Sequence, residues 1–212
     1  MVVPQTLSDN DLLRLMLAGD EAAFALLYQR RQGGIYRFAW QMCGSEMIAE
    51  DVTQEVFMAL LRDEARGYDP ARGSLAAYLY GIARHQVLRA LERDKSYVPL
   101  NGDGGTDDDA PVAEALINRS DLLANLAREE MVAQLHGAIA TLPAHYREAL
   151  VLCDLHEMSY AEAALIINCA VGTVRSRLHR ARALLIEKLH ATKDAPEHET
   201  TSQKILPAGC FA

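Results

Sequence analysis

The chain has 212 residues and a formal net charge of −8, and half of its residues are hydrophobic while only 6% are aromatic. This length is sufficient for one or two domains that each bury a core. The low glycine and proline content excludes a fibrous or low-complexity chain, the scarcity of aromatic residues favours helix over sheet, and the acidic balance is unusual for a nucleic-acid-binding protein.

The amino terminus carries no basic segment followed by an apolar one, and no run of eighteen apolar residues occurs in the chain. We therefore expect neither a signal peptide nor a membrane span, and we expect a cytoplasmic location. The cysteines form no CxxC pair, which predicts reduced thiols and no zinc site built on such a pair: Cys43, Cys153, Cys169 and Cys210.

Residues 1–98 are predicted to form a first helical domain. Ser8 is followed three residues later by Asp11, which resembles a capping box at the start of a helix. Gly19-Asp20 ends that helix and caps a second one, and a third begins after Ser45. Ser74 is predicted to cap a long fourth helix. The third helix has apolar residues at four-residue steps, which indicates one buried stripe: Ile48, Val52, Val56 and Leu60.

Residues 99–120 carry half of the net charge, −4, in a segment rich in glycine and aspartate. Such a composition cannot build a core, and its like charges keep it extended. We expect a flexible acidic linker between two helical domains. The polar tail at 193–212 is predicted to be disordered.

Residues 121–192 are predicted to form a second helical domain. Pro143 suits the first position of a helix that continues to Leu155. Ser159-Tyr-Ala-Glu162 is a capping box, and the helix that it opens ends near Asn168. A last helix starts at Gly172-Thr173, so the two helices and their short turn form a helix-turn-helix pattern.

The last helix is the basic element of this acidic chain, since residues 171–189 carry a local charge of +4. Its apolar residues recur at helical spacing and are predicted to be buried. Four polar residues fall on a different face, where arginine can pair with guanine in the major groove and serine or histidine can contact bases or phosphates: Arg175, Ser176, His179 and Arg180. A solvated arginine face is the alternative interpretation of the same pattern.

Two motifs in the expected order resemble a known family. Ser159-Tyr-Ala-Glu-Ala-Ala followed by Val171-Gly-Thr-Val-Arg-Ser-Arg-Leu-His-Arg-Ala-Arg182 resembles region 4 of the extracytoplasmic-function sigma factors of bacterial RNA polymerase. Ala49-Glu-Asp-Val-Thr-Gln-Glu-Val-Phe57 is similar to their region 2.2, and Leu79-Tyr-Gly-Ile-Ala-Arg-His85 to their regions 2.3 and 2.4. The resemblance covers roughly residues 10–97 and 125–190.

The resemblance implies a sigma factor that binds core RNA polymerase and directs promoter-specific initiation. It implies that the region 2.2 helix binds the clamp coiled coil of the polymerase β′ subunit. The residues placed for this contact are Asp51, Gln54 and Glu55. An anti-sigma factor is implied as a further partner.

The resemblance also implies promoter DNA contacts on two helices. The helix after Ser74 is expected to contact the −10 element through Tyr78, Arg84, His85, Arg89 and Arg93. His85 stands where the family commonly has Asn, and Gly81 where it commonly has a larger polar residue. The last helix is expected to contact the −35 element, with base contacts from Arg175, Ser176, His179 and Arg180 and phosphate contacts from Thr173 and Arg177.

Two other classes of protein are compatible with parts of the sequence. A stand-alone helix-turn-helix regulator would use its N-terminal half as a sensing or dimerisation domain, but it would not need a polymerase-docking helix. An all-helical enzyme has no supporting motif, because no nucleophile–base pair, phosphate-binding glycine loop or metal cluster is present in the sequence. We therefore expect a non-enzymatic protein without a cofactor, metal or small-molecule substrate.

Overall fold

The computed structural model describes residues 7–62, 65, 67–96 and 119–193, and within these ranges it contains eight α-helices, one π-helical turn and no β-strand. The all-α prediction is confirmed. None of these helices combines the length and the apolar character that a membrane crossing requires. The helices are α1 (Asp9–Leu17), α2 (Glu21–Cys43), α3 (Glu46–Arg62), α4 (Leu75–Ser96), α5 (Arg119–Ala140), α6 (Ala144–Leu150), α7 (Tyr160–Ile167) and α8 (Val171–Lys193).

The N-terminal helices begin at the predicted capping residues. The Ser8 hydroxyl accepts a hydrogen bond from the Asp11 amide at 3.2 Å, and the Asp20 carboxylate accepts from Ala22 at 2.9 Å. The Ser74 hydroxyl accepts from the Ala77 amide at 3.2 Å. These bonds satisfy backbone donors that the first turn of a helix leaves unpaired, which explains why each helix starts where it does.

The core of the N-terminal half lies where α2, α3 and α4 meet. Val52, Val56 and Leu60 of α3 are buried, as their spacing predicted, and Phe57 is buried beside them. Phe38 of α2 lies at the centre with no exposed surface. This packing fixes which side of α3 and of α4 remains accessible to a partner.

The C-terminal half contains one departure from the predicted helix pattern. Where the sequence predicted a single α-helix from Ala144 to Leu155, α6 ends at Leu150 and a π-helical turn, Val151–Leu155, continues it. Pro143 is the residue before the helix and not its first helical residue. The turn closes with a hydrogen bond from the His156 amide to the Val151 carbonyl, five residues earlier, at 3.0 Å. The corresponding bond of an α-helix spans four residues, so this turn contains one additional residue.

The predicted linker and tail lie largely outside the described residues. Of the linker, only Arg119 and Ser120 are described, and they form the start of α5. Of the tail, only Lys193 is described, as the last residue of α8.

The two halves contact each other in the described structure. Helix α7 packs along α4, and α5 and the π turn lie against α2. Buried side chains of both halves belong to one continuous hydrophobic cluster. The contact between the halves therefore brings α7 beside the exposed side of α4.

Candidate nucleic-acid interface

The helix-turn-helix forms at the residues that the sequence indicated. The Ser159 hydroxyl accepts from the Glu162 amide at 3.2 Å while the Glu162 carboxylate accepts from the Ser159 amide at 3.1 Å, which confirms the capping box. Asn168 ends α7 in the left-handed conformation at φ 57°, which Asn tolerates better than most residues. Helix α8 begins at Val171, one residue before the predicted start.

The four predicted base-contacting residues of α8 share one exposed side of the helix. Val174, Leu178 and Ala181 are buried against the domain. We call the opposite set the α8 face, and all of its members are exposed: Arg175, Ser176, His179 and Arg180. The arrangement leaves a cationic surface on a helix that follows a tight turn, which is the geometry used for major-groove recognition.

Aromatic neighbours support the two arginines of the α8 face without neutralising their charge. The Arg175 guanidinium lies 5.7 Å from the centroid of the Tyr160 ring. An Arg180 Nη1–H donates to the Tyr146 hydroxyl at 3.5 Å. Both contacts hold the side chain near the helix surface and keep the positive charge available to an anion.

The two residues predicted to contact phosphates from α8 are placed differently. Thr173 is half-buried, and its carbonyl accepts the Ser176 hydroxyl at 3.0 Å. Arg177 is half-buried and donates through Nη1 to Oε1 of Glu148 at 3.0 Å. Glu148 is only 2% exposed, so Arg177 is committed to an internal ion pair in this conformation.

Four of the predicted α4 residues fall on one side of that helix. Tyr78, His85, Arg89 and Arg93 are spaced by seven, four and four residues, and we call them the α4 face. His85, Arg89 and Arg93 are exposed. Tyr78 is half-buried, with its ring 5.6 Å from that of Tyr68.

Arg84 does not belong to the α4 face. It projects towards the C-terminal half, where its Nε–H donates to Oε2 of Glu148 at 2.7 Å. The Glu148 carboxylate therefore bonds Arg84 of one half through one oxygen and Arg177 of the other half through the second oxygen. A buried carboxylate held by two guanidinium groups is a strong charge-assisted contact.

An open cavity of about 480 Å³ adjoins the α4 face at the contact between the halves. Tyr78 and His85 line it from α4, and Leu165 and Ile166 line it from α7. The side chain of Leu165 remains 52% exposed. Helix α7 therefore stands beside the very residues of α4 that were predicted to contact the −10 element.

The predicted polymerase-contacting residues Asp51, Gln54 and Glu55 are all exposed on α3. Glu55 forms an ion pair with Arg62 two turns later, at 2.8 Å. These three residues lie on the side of α3 that faces away from the core.

The sequence interpretation missed three apolar residues on the same side of α3. Met47, Met58 and Leu61 are exposed by 75%, 49% and 43%. Together with Asp51 and Gln54 they form what we call the α3 stripe, spaced by four, three, four and three residues. That is heptad spacing, the pattern of a helix that packs against a coiled coil, and it could have been found in the sequence.

The contact between the halves contains a second polar cluster that the sequence did not reveal. The Tyr80 hydroxyl lies 3.0 Å from Nδ1 of His156, and Nε2 of His156 lies 2.9 Å from Oε1 of Gln41. Burial lowers the pKa of His156 to about 4, and the positive charge of Arg37 contributes in the same direction. His156 is therefore neutral at pH 7 in this conformation.

A third polar contact joins the halves at the start of α6. The Arg147 guanidinium donates to the carbonyl oxygen of Met42 in α2 and, within its own half, to the carbonyl of Leu142 at 2.9 Å. Burial lowers the pKa of Arg147. Among the described residues, no group of three or more histidine, cysteine or carboxylate side chains is arranged to hold a metal ion.

Family models match both halves of the chain. The model of sigma-70 region 2 matches residues 27–97, and the model of sigma-70 region 4 matches residues 133–185.

Curated relatives match most of the chain. It is 31% identical to the ECF RNA polymerase sigma-E factor of Escherichia coli K12 over 198 residues, which cover 87% of this chain and 96% of that protein. It is 31% identical to the ECF RNA polymerase sigma factor SigW of Bacillus subtilis over 180 residues, covering 81% and 91%. It is also 31% identical to the ECF RNA polymerase sigma factor SigE of Mycolicibacterium smegmatis, covering 84% and 67%.

Solved structures share the fold. The structure of CnrH in complex with the cytosolic domain of CnrY aligns with a TM-score of 0.61 at 26% identity, covering 86% of this chain and 97% of that chain. The sigma factor RpoE of Bartonella quintana, solved with the anti-sigma factor NepR, aligns with a TM-score of 0.56 at 22% identity, covering 79% and 96%.

Proposed function

The chain belongs to the extracytoplasmic-function sigma factors of the sigma-70 family, and from this premise we propose which of its surfaces contact promoter DNA and polymerase. As a member of that family it binds core RNA polymerase and directs transcription initiation from a class of promoters. Sigma factors are initiation factors and not enzymes. The assignments of individual residues below are proposals, as are the absence of any enzymatic activity in this chain and its cytoplasmic location.

The −35 element is contacted by the α8 face. The observation that carries this assignment is that Arg175, Ser176, His179 and Arg180 are exposed together on the second helix of a correctly capped helix-turn-helix. Arg175 and Arg180 can each donate two hydrogen bonds to a guanine edge, and Ser176 and His179 can contact neighbouring bases or phosphates. Thr173 lies at the start of the same helix, close enough to the α8 face to contact a phosphate.

The −10 element is contacted by the α4 face. Arg89 and Arg93 are exposed cations in line with exposed His85, and the Tyr78 ring lies at the start of this line beside an open cavity. Cationic side chains along a helix can contact successive phosphates of a separated DNA strand, and an aromatic ring can stack on an unpaired base. Arg84 and Arg177 become available to phosphates only after they leave Glu148.

The clamp coiled coil of the β′ subunit is contacted by the α3 stripe together with Glu55. Exposed methionines adapt to an irregular partner surface, while Asp51 and Gln54 supply polar contacts between them. A helix with heptad spacing on its free side is suited to lie along another helix.

An anti-sigma factor is a further proposed partner. CnrH and the RpoE protein of Bartonella quintana were each solved with a bound partner, and in the RpoE structure that partner is an anti-sigma factor. Their fold is shared by this chain.

Transcription in vitro with purified core polymerase tests the proposed function. We expect promoter-specific transcripts from fragmented genomic DNA only when this chain is added. Met58→Asp should lower the affinity for core polymerase at least tenfold, because it places a charge in the apolar part of the α3 stripe. Glu130→Lys, at an exposed position of α5, is the control and should bind normally. A chain that blocks a known start without supporting initiation would instead be a stand-alone helix-turn-helix regulator.

A further inference from the structure

Helices α2 and α5 enclose an apolar groove that none of the proposed DNA or polymerase contacts uses. Its volume is about 540 Å³, and the described residues that line it are Trp40 of α2 and Arg128, Val132, Ala133 and His136 of α5. The ring centroids of Trp40 and His136 lie 4.5 Å apart in an edge-to-face arrangement. A concave, mostly apolar site of this size with a few polar groups is suited to hold the apolar side chains of a ligand.

The apolar side chains of this groove are only partly covered in the described structure. Val132 is 44% exposed, Ala133 is exposed and Trp40 is half-buried. Burial of this surface is favourable in proportion to the apolar area that is removed from water. Arg128 is exposed and adds a positive charge to the groove. The occupant that fits best is therefore a short apolar segment with an acidic flank.

The sequence that follows α8 has this chemistry. Residues 194–212 lie outside the described residues. Within them, residues 194–204 contain three carboxylates and one lysine, and residues 205–211 read Ile-Leu-Pro-Ala-Gly-Cys-Phe. The large apolar side chains of this stretch are those of Ile205, Leu206 and Phe211. An apolar segment thus follows directly after an acidic one.

The end of α8 is close enough to the groove for this segment to reach it. Helix α8 packs against α5, and Leu185 of α8 and Leu135 of α5 both pack on the shared hydrophobic core. Lys193 follows Leu185 by about 12 Å along the helix axis. The chain from Lys193 to Ile205 can span up to about 40 Å when extended, whereas the whole of α5 is about 33 Å long. Residues 205–211 can therefore reach the groove.

We propose that residues 205–211 bind in the groove between α2 and α5 of the same chain, with Leu206 and Phe211 packed against Trp40. The acidic stretch before them lies beside Arg128. A short flexible tether gives an effective concentration of the order of 1 mM, so a segment that binds with submillimolar affinity is docked in most molecules. The docked segment covers the groove, and another protein can occupy this face only by displacing it.

Trp40 is the single tryptophan of the chain, so its fluorescence reports directly on the groove. Acrylamide quenching of this emission is measured in the full-length chain. Leu206→Asp/Phe211→Asp should release the segment, because it would bury two charges in an apolar site, and the quenching constant should rise at least twofold. Thr200→Asp/Ser202→Asp adds the same charges to the polar part of the segment and should leave the constant unchanged. Equal quenching in the parent and in Leu206→Asp/Phe211→Asp overturns the proposal.

Disulfide trapping locates the segment, because Cys210 lies next to Phe211. The other native cysteines are replaced by alanine, and Ala133→Cys provides a thiol in the groove. Mild oxidation should then form an intrachain disulfide at least tenfold faster than with Ala25→Cys, which is at an exposed position of α2 about 22 Å along the helix from Trp40. Equal rates for Ala133→Cys and Ala25→Cys overturn the proposal.

A second copy of the chain is the competing occupant of the groove. Disulfide-linked dimers, or quenching that depends on protein concentration, would place the segment of one chain in the groove of another and overturn the intrachain contact. Neither measurement involves DNA or RNA polymerase, so both results are independent of the proposed function.

Discussion

Helices α4 and α8 both carry arginines on their candidate DNA-binding faces, but the rest of the molecule covers the two faces to different extents. All four residues of the α8 face are exposed, and the contacts of Arg175 and Arg180 are to aromatic side chains. On α4, Tyr78 is half-buried beside helix α7, and Arg84 is held by the buried Glu148 of the other half. The face proposed for the −35 element is therefore exposed in the described conformation, whereas the face proposed for the −10 element is partly covered.

The charge of the chain is distributed as unevenly as its exposed surfaces. Of the net charge of −8, −4 lies in residues 99–120, while α8 carries a local excess of positive charge. The acidic remainder repels non-specific duplex, and one exposed face alone makes too few phosphate contacts for strong binding. If the two faces have the proposed roles, we expect promoter recognition to require a polymerase that binds the chain and holds both faces in place.

The contact between the halves should give the largest effect, a dependence of stability on pH through His156. The pKa of His156 is about 4 in the folded chain, against about 6.5 when exposed. Above pH 6.5 the histidine is neutral in both states and its contribution to stability is complete. As the pH falls from 6.5 to 4, His156 takes up a proton in the unfolded chain but not in the folded one. The free energy of unfolding therefore decreases by up to about 3 kcal/mol.

Urea unfolding between pH 7.5 and 4 measures this loss. Carboxylates titrate in the same range, so the informative quantity is the difference between the parent chain and His156→Gln, which cannot take up the proton. His179→Gln, on the exposed α8 face, is the matched control and should follow the parent curve. If the unfolding free energies of the parent and of His156→Gln change with pH in parallel, His156 is not held neutral at the contact between the halves.

Substitutions on the exposed α8 face should have the next largest effect. Arg175→Ala or Arg180→Ala should weaken −35 recognition by the assembled holoenzyme by about 1–3 kcal/mol each, with polymerase binding unchanged. Arg182→Ala is the control, because Arg182 pairs with Asp154 at 2.6 and 2.9 Å and does not belong to the α8 face. If the parent and both variants have the same promoter preference, the α8 face does not contact the −35 element.

The smallest effect is expected from removal of one helix cap in each half of the chain. Ser159→Ala and Ser8→Ala each delete a cap that bonds a first-turn amide at 3.2 Å, and each should cost about 1 kcal/mol of unfolding free energy. Only Ser159→Ala should also weaken −35 binding, since α7 supports the turn that positions α8. Equal loss of −35 binding in the two variants would show that general stability, and not the turn, controls recognition.

Local features of the fold could be predicted from the sequence because they depend on neighbouring residues. The caps at Ser8, Asp20 and Ser159 and the buried stripe of α3 follow from short-range spacing, and the structure contains each of them. The left-handed Asn168 also follows from the chemistry of that residue.

Contacts between distant segments could not be predicted in the same way. Arg84 and Glu148 are 64 residues apart, and no spacing rule links an arginine on one helix to a carboxylate on another. The sequence therefore placed Arg84 and Arg177 with the DNA-contacting residues, whereas in the structure their helical positions turn them towards Glu148. The π turn at Val151–Leu155 has no local signature either, because its residues are ordinary helix formers.

Helices α4 and α8 both bond Glu148 in the free chain, and we expect them to separate when core polymerase binds. The most direct test is the distance between spin labels at Ala25 and Ala183, measured before and after addition of core RNA polymerase. We predict one narrow distance in the free chain and its replacement by a longer one in the holoenzyme. An identical distance in both states would contradict this expectation, because α4 and α8 cannot reach the −10 and −35 elements of one promoter while both are bonded to Glu148.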